Sequence, residues 1–198
     1  MAKLKIFTFP DQILAKKAKP IERVEKTYFK LADDMLETMY EAPGIGLAAN
    51  QVGLLERIIV VDTDYILEEI PENEKLPEAS EVIVVDGERQ IISGRKPIIL
   101  INPEIIYKEG LFTMKEGCLS VPEYTAEVQR ADKIKVQYQD IDGVQKTFAA
   151  EGLLSVCLQH EMDHLDGTLF IDRLNQLKKE FAKKKLIRER KARERGET

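Results

Sequence analysis

Tryptophan is absent from this 198-residue chain, and cysteine and histidine occur only twice each. Two cysteines, Cys118 and Cys157, are too few for a disulfide-stapled scaffold, so the fold must rest on an apolar core. In a reducing compartment their thiols stay free for metal or redox chemistry, or serve as small core residues. No run of 18 apolar residues occurs, which argues against a membrane-spanning helix. Residues 1–10 mix Lys3 and Lys5 with Phe7 and Phe9 rather than building the apolar centre of a signal peptide. A cytoplasmic protein without a membrane partner is expected. With 43% hydrophobic residues, the chain is long enough for one sizeable core.

The formal net charge of −5 conceals an asymmetry: residues 173–198 hold eleven Lys or Arg against four Glu, a net +7, which leaves −12 on the preceding 172 residues. A basic tail on an acidic body suits an anionic partner, although a solvated helix end is the commoner meaning of such a run.

Apolar residues Phe29, Leu31, Ala32, Met35, Leu36 and Met39 recur at three- and four-residue spacing, which predicts a helix over 27–40, ended by Pro43 and Gly44. The following segment, 44–53, is glycine-bearing and nearly uncharged, so backbone must pass close to something there. The β-branched run 58–61 predicts a strand, and 71–80 an exposed acidic excursion. Strands over 82–86 and 89–92 flank an Asp86-Gly87 turn; further strands are expected over 98–101, 134–138 and 147–149, the last two joined at Asp142-Gly143. A helix is expected over 151–165, with Phe170, Leu174, Leu177 and Phe181 continuing at helical spacing. No internal repeat is present.

Both histidines of the chain stand four apart in His160-Glu161-Met162-Asp163-His164. Two histidines placed at random on a chain this long fall so about one time in a hundred, and the adjoining Glu lowers that roughly tenfold. On a helix, residues i and i+4 share a face, so both imidazoles reach one metal with Glu161 beside them as acid or base. A catalytic ion of this kind needs a third protein ligand. Cys157 lies roughly 7.5 Å along the axis from the midpoint of the pair, too far for its short side chain. Cys118, in Glu116-Gly117-Cys118-Leu119-Ser120, is the better candidate, since a cation would hold its sulfur as thiolate. One thiolate with two imidazoles suits Zn(II), Co(II), Ni(II) or Fe(II).

Three ordered segments, Gly44-Ile45-Gly46-Leu47-Ala48-Ala49-Asn50-Gln51, Glu116-Gly117-Cys118-Leu119-Ser120 and Gln159-His160-Glu161-Met162-Asp163-His164, together resemble the signature motifs of peptide deformylases. The similarity extends loosely over 11–170. It implies that Cys118, His160 and His164 bind one divalent metal, Fe(II) in most bacterial members, and that Glu161 shuttles the proton. It also implies that Gln51 and the Leu119 N–H face the substrate oxygen, in a hydrolysis that frees formate from the formylmethionine end of new polypeptides. By the same resemblance Ile45, Met114, Leu153, Val156 and Cys157 line a methionine pocket and the Gly46 backbone pairs with an extended peptide. Leu153, Val156 and Cys157 also share the His160 helix face, where plain core packing explains them equally well. Asn50 stands where relatives often have Pro, and Thr125 and Gln129 where many have Arg and Pro. The excursion over 63–97 looks longer than in short members.

Two other readings fit parts of the sequence. A zinc endopeptidase shares His-Glu-x-x-His, but a metzincin needs His where this chain has Phe170, and Glu180 and Glu189 sit in the charged tail. An RNA- or ribosome-binding module is suggested by the tail; in similar bacterial deformylases a basic C-terminal helix docks on the ribosome, so the two ideas combine. DNA is not expected as a partner. The expected fold is α+β, antiparallel sheets wrapped around the metal-bearing helix, with residues 1–170 as catalytic body and 171–198 as a basic C-terminal helix.

Overall fold

A computed structural model of the chain describes residues 3–70, 81–85 and 88–196. Helix α1 spans Thr27–Glu41 and buries Ala32, Met35, Met39 and Tyr40, the face its apolar spacing marks out. Among the described residues ten strands follow in order, with two helices after them: β1 Gly46–Ala48, β2 Ile58–Val61, β3 Ile66–Glu69, β4 Glu81–Val85, β5 Glu88–Ser93, β6 Ile98–Glu109, β7 Phe112–Cys118, β8 Val121–Arg130, β9 Lys133–Gln139, β10 Gln145–Glu151, then α2 Gly152–Leu165 and α3 Gln176–Glu194. The main sheet runs β1-β2-β6-β9-β10, a smaller one β3-β5-β4, and β7 with β8 forms a hairpin; all pairings are antiparallel. The fold is α+β.

Why β2 reads as an unbroken apolar run follows from what lies on each side of it. Ile59 and Val61 pack with Leu100, Ile134, Leu158 and Met162 beneath α2, whereas Ile58 and Val60 pack with Met35, Met39 and Ile101 beneath α1. Alternate side chains point to opposite faces, so a sheet covered by a helix on both faces needs apolar residues at every position. Each fully buried Leu or Ile there contributes roughly 1.5–3 kcal/mol. Helix α2 is enclosed more completely, with all of Ser155 to Leu165 buried, polar residues included.

The turn expected at Asp86-Gly87 and the excursion over 71–80 lie outside the described residues, though β4 and β5 pair as a hairpin would. At the C-terminus the helix does not continue from Phe170. A short 3-10 turn, Phe170–Arg173, comes first, and Asn175 then caps α3 by accepting from Lys178 N at 3.0 Å. That break rotates the helix, so Leu177 and Phe181 are 81% and 65% exposed while Ala182 and Leu186 are buried beside Val121, Val128 and Phe170.

Candidate active site

The main sheet ends in β1 on one side, and the β7–β8 hairpin has a free edge at β7; an open cleft of about 380 Å³ lies between residues of these two strands. Its floor is α2. Ile45 O accepts from Asp62 N at 2.9 Å, so by the alternation of an antiparallel ladder Gly46 and Ala48 turn their peptide groups away from β2. The Ala48 N–H is taken by Gln51 Oε1 at 2.8 Å. That bond decides which way the Gln51 amide faces: Nε2 is aimed at Ser120 Oγ (3.2 Å) and Cys118 Sγ (3.6 Å).

Cys118 closes β7 just past a register shift against β8, between Glu116 and Cys118. Such a bulge re-aims the side chains beyond it. Here the sulfur lies 3.1 Å from His164 Nε2 and accepts from Ser120 N at 3.4 Å. Cys118, His160 and His164 each offer one donor atom, all within 4.8 Å of one another. That soft-plus-imidazole set fits a single divalent transition ion. His160 turns Nδ1 to Glu116 Oε2 at 2.9 Å, which leaves Nε2 to face the other donors. Phe170, where a metzincin would need a third histidine, stacks on the His160 ring at 5.9 Å.

Behind the ligands lies a buried charged network. Arg130 grips Glu116 through Nε (2.5 Å) and Nη2 (2.9 Å) and reaches Asp163 Oδ2 through Nη1 at 2.9 Å; Arg173 makes two further bonds to Asp163. Burial pushes against ionising Glu116, but hydrogen bonds from His160 and Arg130 outweigh it and hold the carboxyl below its ordinary range. The opposite holds for Glu161, where burial dominates and pushes the pKa up to about 7. Its Oε2 is buried with no hydrogen-bond partner among the described residues. A carboxylate tuned near neutrality, with one oxygen left open among the described residues, is suited to taking and returning a proton. Burial likewise raises the Cys157 thiol, which donates to Ile45 O at 3.4 Å instead of approaching the donor cluster.

Of the residues singled out from the sequence, Ile45, Gly46, Gln51, Met114, Cys118, Leu119, Leu153, Val156, Cys157, His160 and Glu161 all line this one cleft, and His164 stands behind Cys118. Leu153 and Ile45, 39% and 37% exposed, sit at its rim. Gly46 is pressed so close to α2 that a Cβ there would stand 2.5 Å from Glu161 Oε1 and 2.8 Å from Cys157 Sγ. Sequence reading missed Ser120, Arg130, Asp163 and Arg173. Asp163 and Ser120 sit inside motifs, which was a usable signal, but nothing local marks Arg130 or Arg173.

The model of the polypeptide deformylase family matches residues 3–180 of the chain. Peptide deformylase from Agrobacterium fabrum is 42% identical over 184 residues, covering 92% of this chain and 94% of that protein. Peptide deformylase 2 from Xanthomonas axonopodis pv. citri is 45% identical over 194 residues, covering 96% and 98%. Among solved structures, a peptide deformylase from Legionella pneumophila superposes with a TM-score of 0.77 at 36% identity, covering 98% of this chain and 99% of that one. The Ehrlichia chaffeensis peptide deformylase in complex with actinonin gives 0.76 at 38% identity, covering 96% and 98%.

Proposed function

The chain belongs to the polypeptide deformylase family, metal-dependent hydrolases that remove the formyl group from N-terminal formylmethionine, and from that premise we propose how its own residues divide the reaction. The observation that carries the reading is the convergence of Cys118, His160 and His164 within 4.8 Å, with the Glu161 carboxylate oxygen that has no hydrogen-bond partner among the described residues in the same cleft. A divalent ion held by those three residues would supply Lewis acidity, bringing the pKa of a water toward neutrality and polarising the formyl carbonyl.

Glu161 takes the proton from the attacking water and later delivers it to the departing amine, so that formate leaves. Gln51 Nε2 and the Leu119 N–H donate to the carbonyl oxygen as it gains charge, a role in which each donor is worth about 3 to 4 kcal/mol. Glu116 keeps His160 turned by accepting from Nδ1. The outward Gly46 peptide group pairs with the substrate main chain, and Ile45, Met114, Leu153, Val156 and Cys157 receive the methionine side chain.

We propose Fe(II) as the resident ion, in line with the resemblance of the three motifs to bacterial deformylases; Zn, Ni and Co also suit the donors. Protein prepared without oxygen should hold about one iron per chain, release formate from a formyl-Met peptide, leave an unformylated quenched peptide intact, and lose activity in air as iron or Cys118 is oxidised. Stoichiometric zinc, no iron and indifference to oxygen would refute the iron assignment. Cleavage of the quenched peptide would refute the deformylase reading in favour of an endopeptidase.

We further propose that residues 1–170 form the catalytic body, acting in the cytoplasm, and that the basic segment 171–198 docks on the ribosome. Because Ala182 and Leu186 seat α3 on the body, truncation would strip buried surface as well as charge. Reversing the exposed cations Lys184, Arg188 and Lys191 to Glu is the cleaner test. Salt-sensitive ribosome binding should disappear with hydrolysis of a short peptide retained, and unchanged binding would exclude the docking role.

A further inference from the structure

Between β2 and β6 the chain leaves the main sheet to build β3-β5-β4, and no step of the hydrolysis uses that excursion. Its base is nevertheless tied to the cleft. Asp62, 1% exposed, accepts from Asp64 N on Oδ1 (3.0 Å) and from Tyr40 OH (2.7 Å) and Lys96 N (2.8 Å) on Oδ2, so one carboxylate fastens both ends of the excursion. The backbone N–H of the same residue donates to Ile45 O.

Tyr65 adds a second tie. Its ring packs edge-on against Tyr40 with centroids 5.0 Å apart, and its hydroxyl donates to Gly44 O at 3.0 Å. Burial first, and the Asp62 carboxylate second, raise this phenol above its ordinary range, so the hydroxyl stays a donor. Gly44 N meanwhile donates to Met39 O at 2.9 Å. The Gly44 backbone is thus gripped by α1 on one side and by the excursion on the other. Buried Ile92 and partly buried Leu67 and Ile83 pack in the same cluster as Tyr65, so the small sheet gives it a firm seat.

Gly44 is also where the two walls of the cleft touch, since a Cβ on it would lie 2.7 Å from Leu119 Cδ1. Whatever fixes Gly44 therefore fixes how far the β1 edge stands from the end of β7. We infer that Tyr65, acting through the Gly44 carbonyl, is a positioning residue for the substrate-binding edge, and that the excursion braces the cleft.

This rests on the deformylase reading. An edge that pairs with peptide main chain binds substrate and transition state alike, so loosening it raises KM more than it lowers kcat. Tyr65→Phe removes one oxygen and keeps the ring against Tyr40. Tyr28→Phe is the control, because its hydroxyl bonds Glu56 Oε1 at 3.0 Å, away from the cleft-lining residues.

With formyl-Met-Ala-Ser as substrate, Tyr65→Phe should raise KM by about three- to tenfold, the worth of one hydrogen bond, with kcat within about twofold of wild type and a melting temperature close to that of Tyr28→Phe. An unchanged KM, or a KM raised no more than in Tyr28→Phe, overturns the inference. So does a fall in kcat that merely tracks a lower melting temperature. Failure of the deformylase reading is distinguishable, because wild-type protein would then release no formate before any variant is compared.

Discussion

Glu161→Gln should lower kcat/KM for a formyl-Met peptide by about 10²- to 10⁴-fold, the usual contribution of a positioned proton-transfer group, while the metal content stays that of wild type. The expectation follows from what the side chain touches. Glu161 is 4% exposed, and Oε2 has no hydrogen-bond partner among the described residues, so an amide of the same shape breaks few contacts. It also removes a charge that burial disfavours, so the melting temperature should not fall. What the amide cannot do is accept and return a proton. Cys118→Ala would differ in kind, since it removes one of three clustered donors and metal should be lost along with turnover. Formate release, metal analysis and a melting curve on the same preparations decide the matter. Glu161→Gln protein that keeps its metal and more than a tenth of wild-type activity would exclude Glu161 as the proton carrier.

The parts of the fold that were legible in the sequence are those that turn at least one apolar face to the core. Helix α1, strand β2 and helix α2 fall within a residue or so of the spans expected from spacing, because one or both of their faces meet aliphatic neighbours. The β7–β8 hairpin was not read at all. Its inward positions include Glu116 and Arg130, which neutralise each other, so hydropathy sees a polar stretch where the structure has a buried pair. The C-terminal helix was expected, but its start and buried face were misread for a related reason: Phe170, Leu174, Leu177 and Phe181 mimic one apolar stripe, yet the cap at Asn175 breaks the phase. An Asn ahead of a basic helix is a recognisable N-cap and could have been weighed against the periodicity. Within the cleft, the donors were legible because histidine is so scarce. The residues that hold those donors were not, since Arg130 and Arg173 look like any surface cation until the strand register places them.

Arg130→Met should be the most destabilising single change outside the apolar core, costing about 3–5 kcal/mol. Arg130 is 4% exposed and carries five N–H donors, of which Nε, Nη1 and Nη2 are spent on Glu116 and Asp163. Methionine fills similar volume, so the loss is electrostatic: among the described residues Glu116, 5% exposed, is left with His160 as its side-chain partner, and Asp163 with the half-exposed Arg173. The pH dependence has a definite sign. In the wild type the Glu116 carboxyl lies below its unfolded value through His160 and Arg130, so its ionisation stabilises the native state above that unfolded value, and the stability is lost as pH falls through the depressed native one. Without the guanidinium the native value rises, and the acid limb of the stability curve should begin at higher pH. Because Glu116 also turns His160, metal affinity should fall about 10- to 100-fold, as for other outer partners of ligating histidines. Urea melts from pH 4 to 8, with chelator competition at neutral pH, test both limbs. A variant as stable as wild type across that range, with unchanged metal affinity, would mean that the buried carboxylates are neutralised by something other than Arg130.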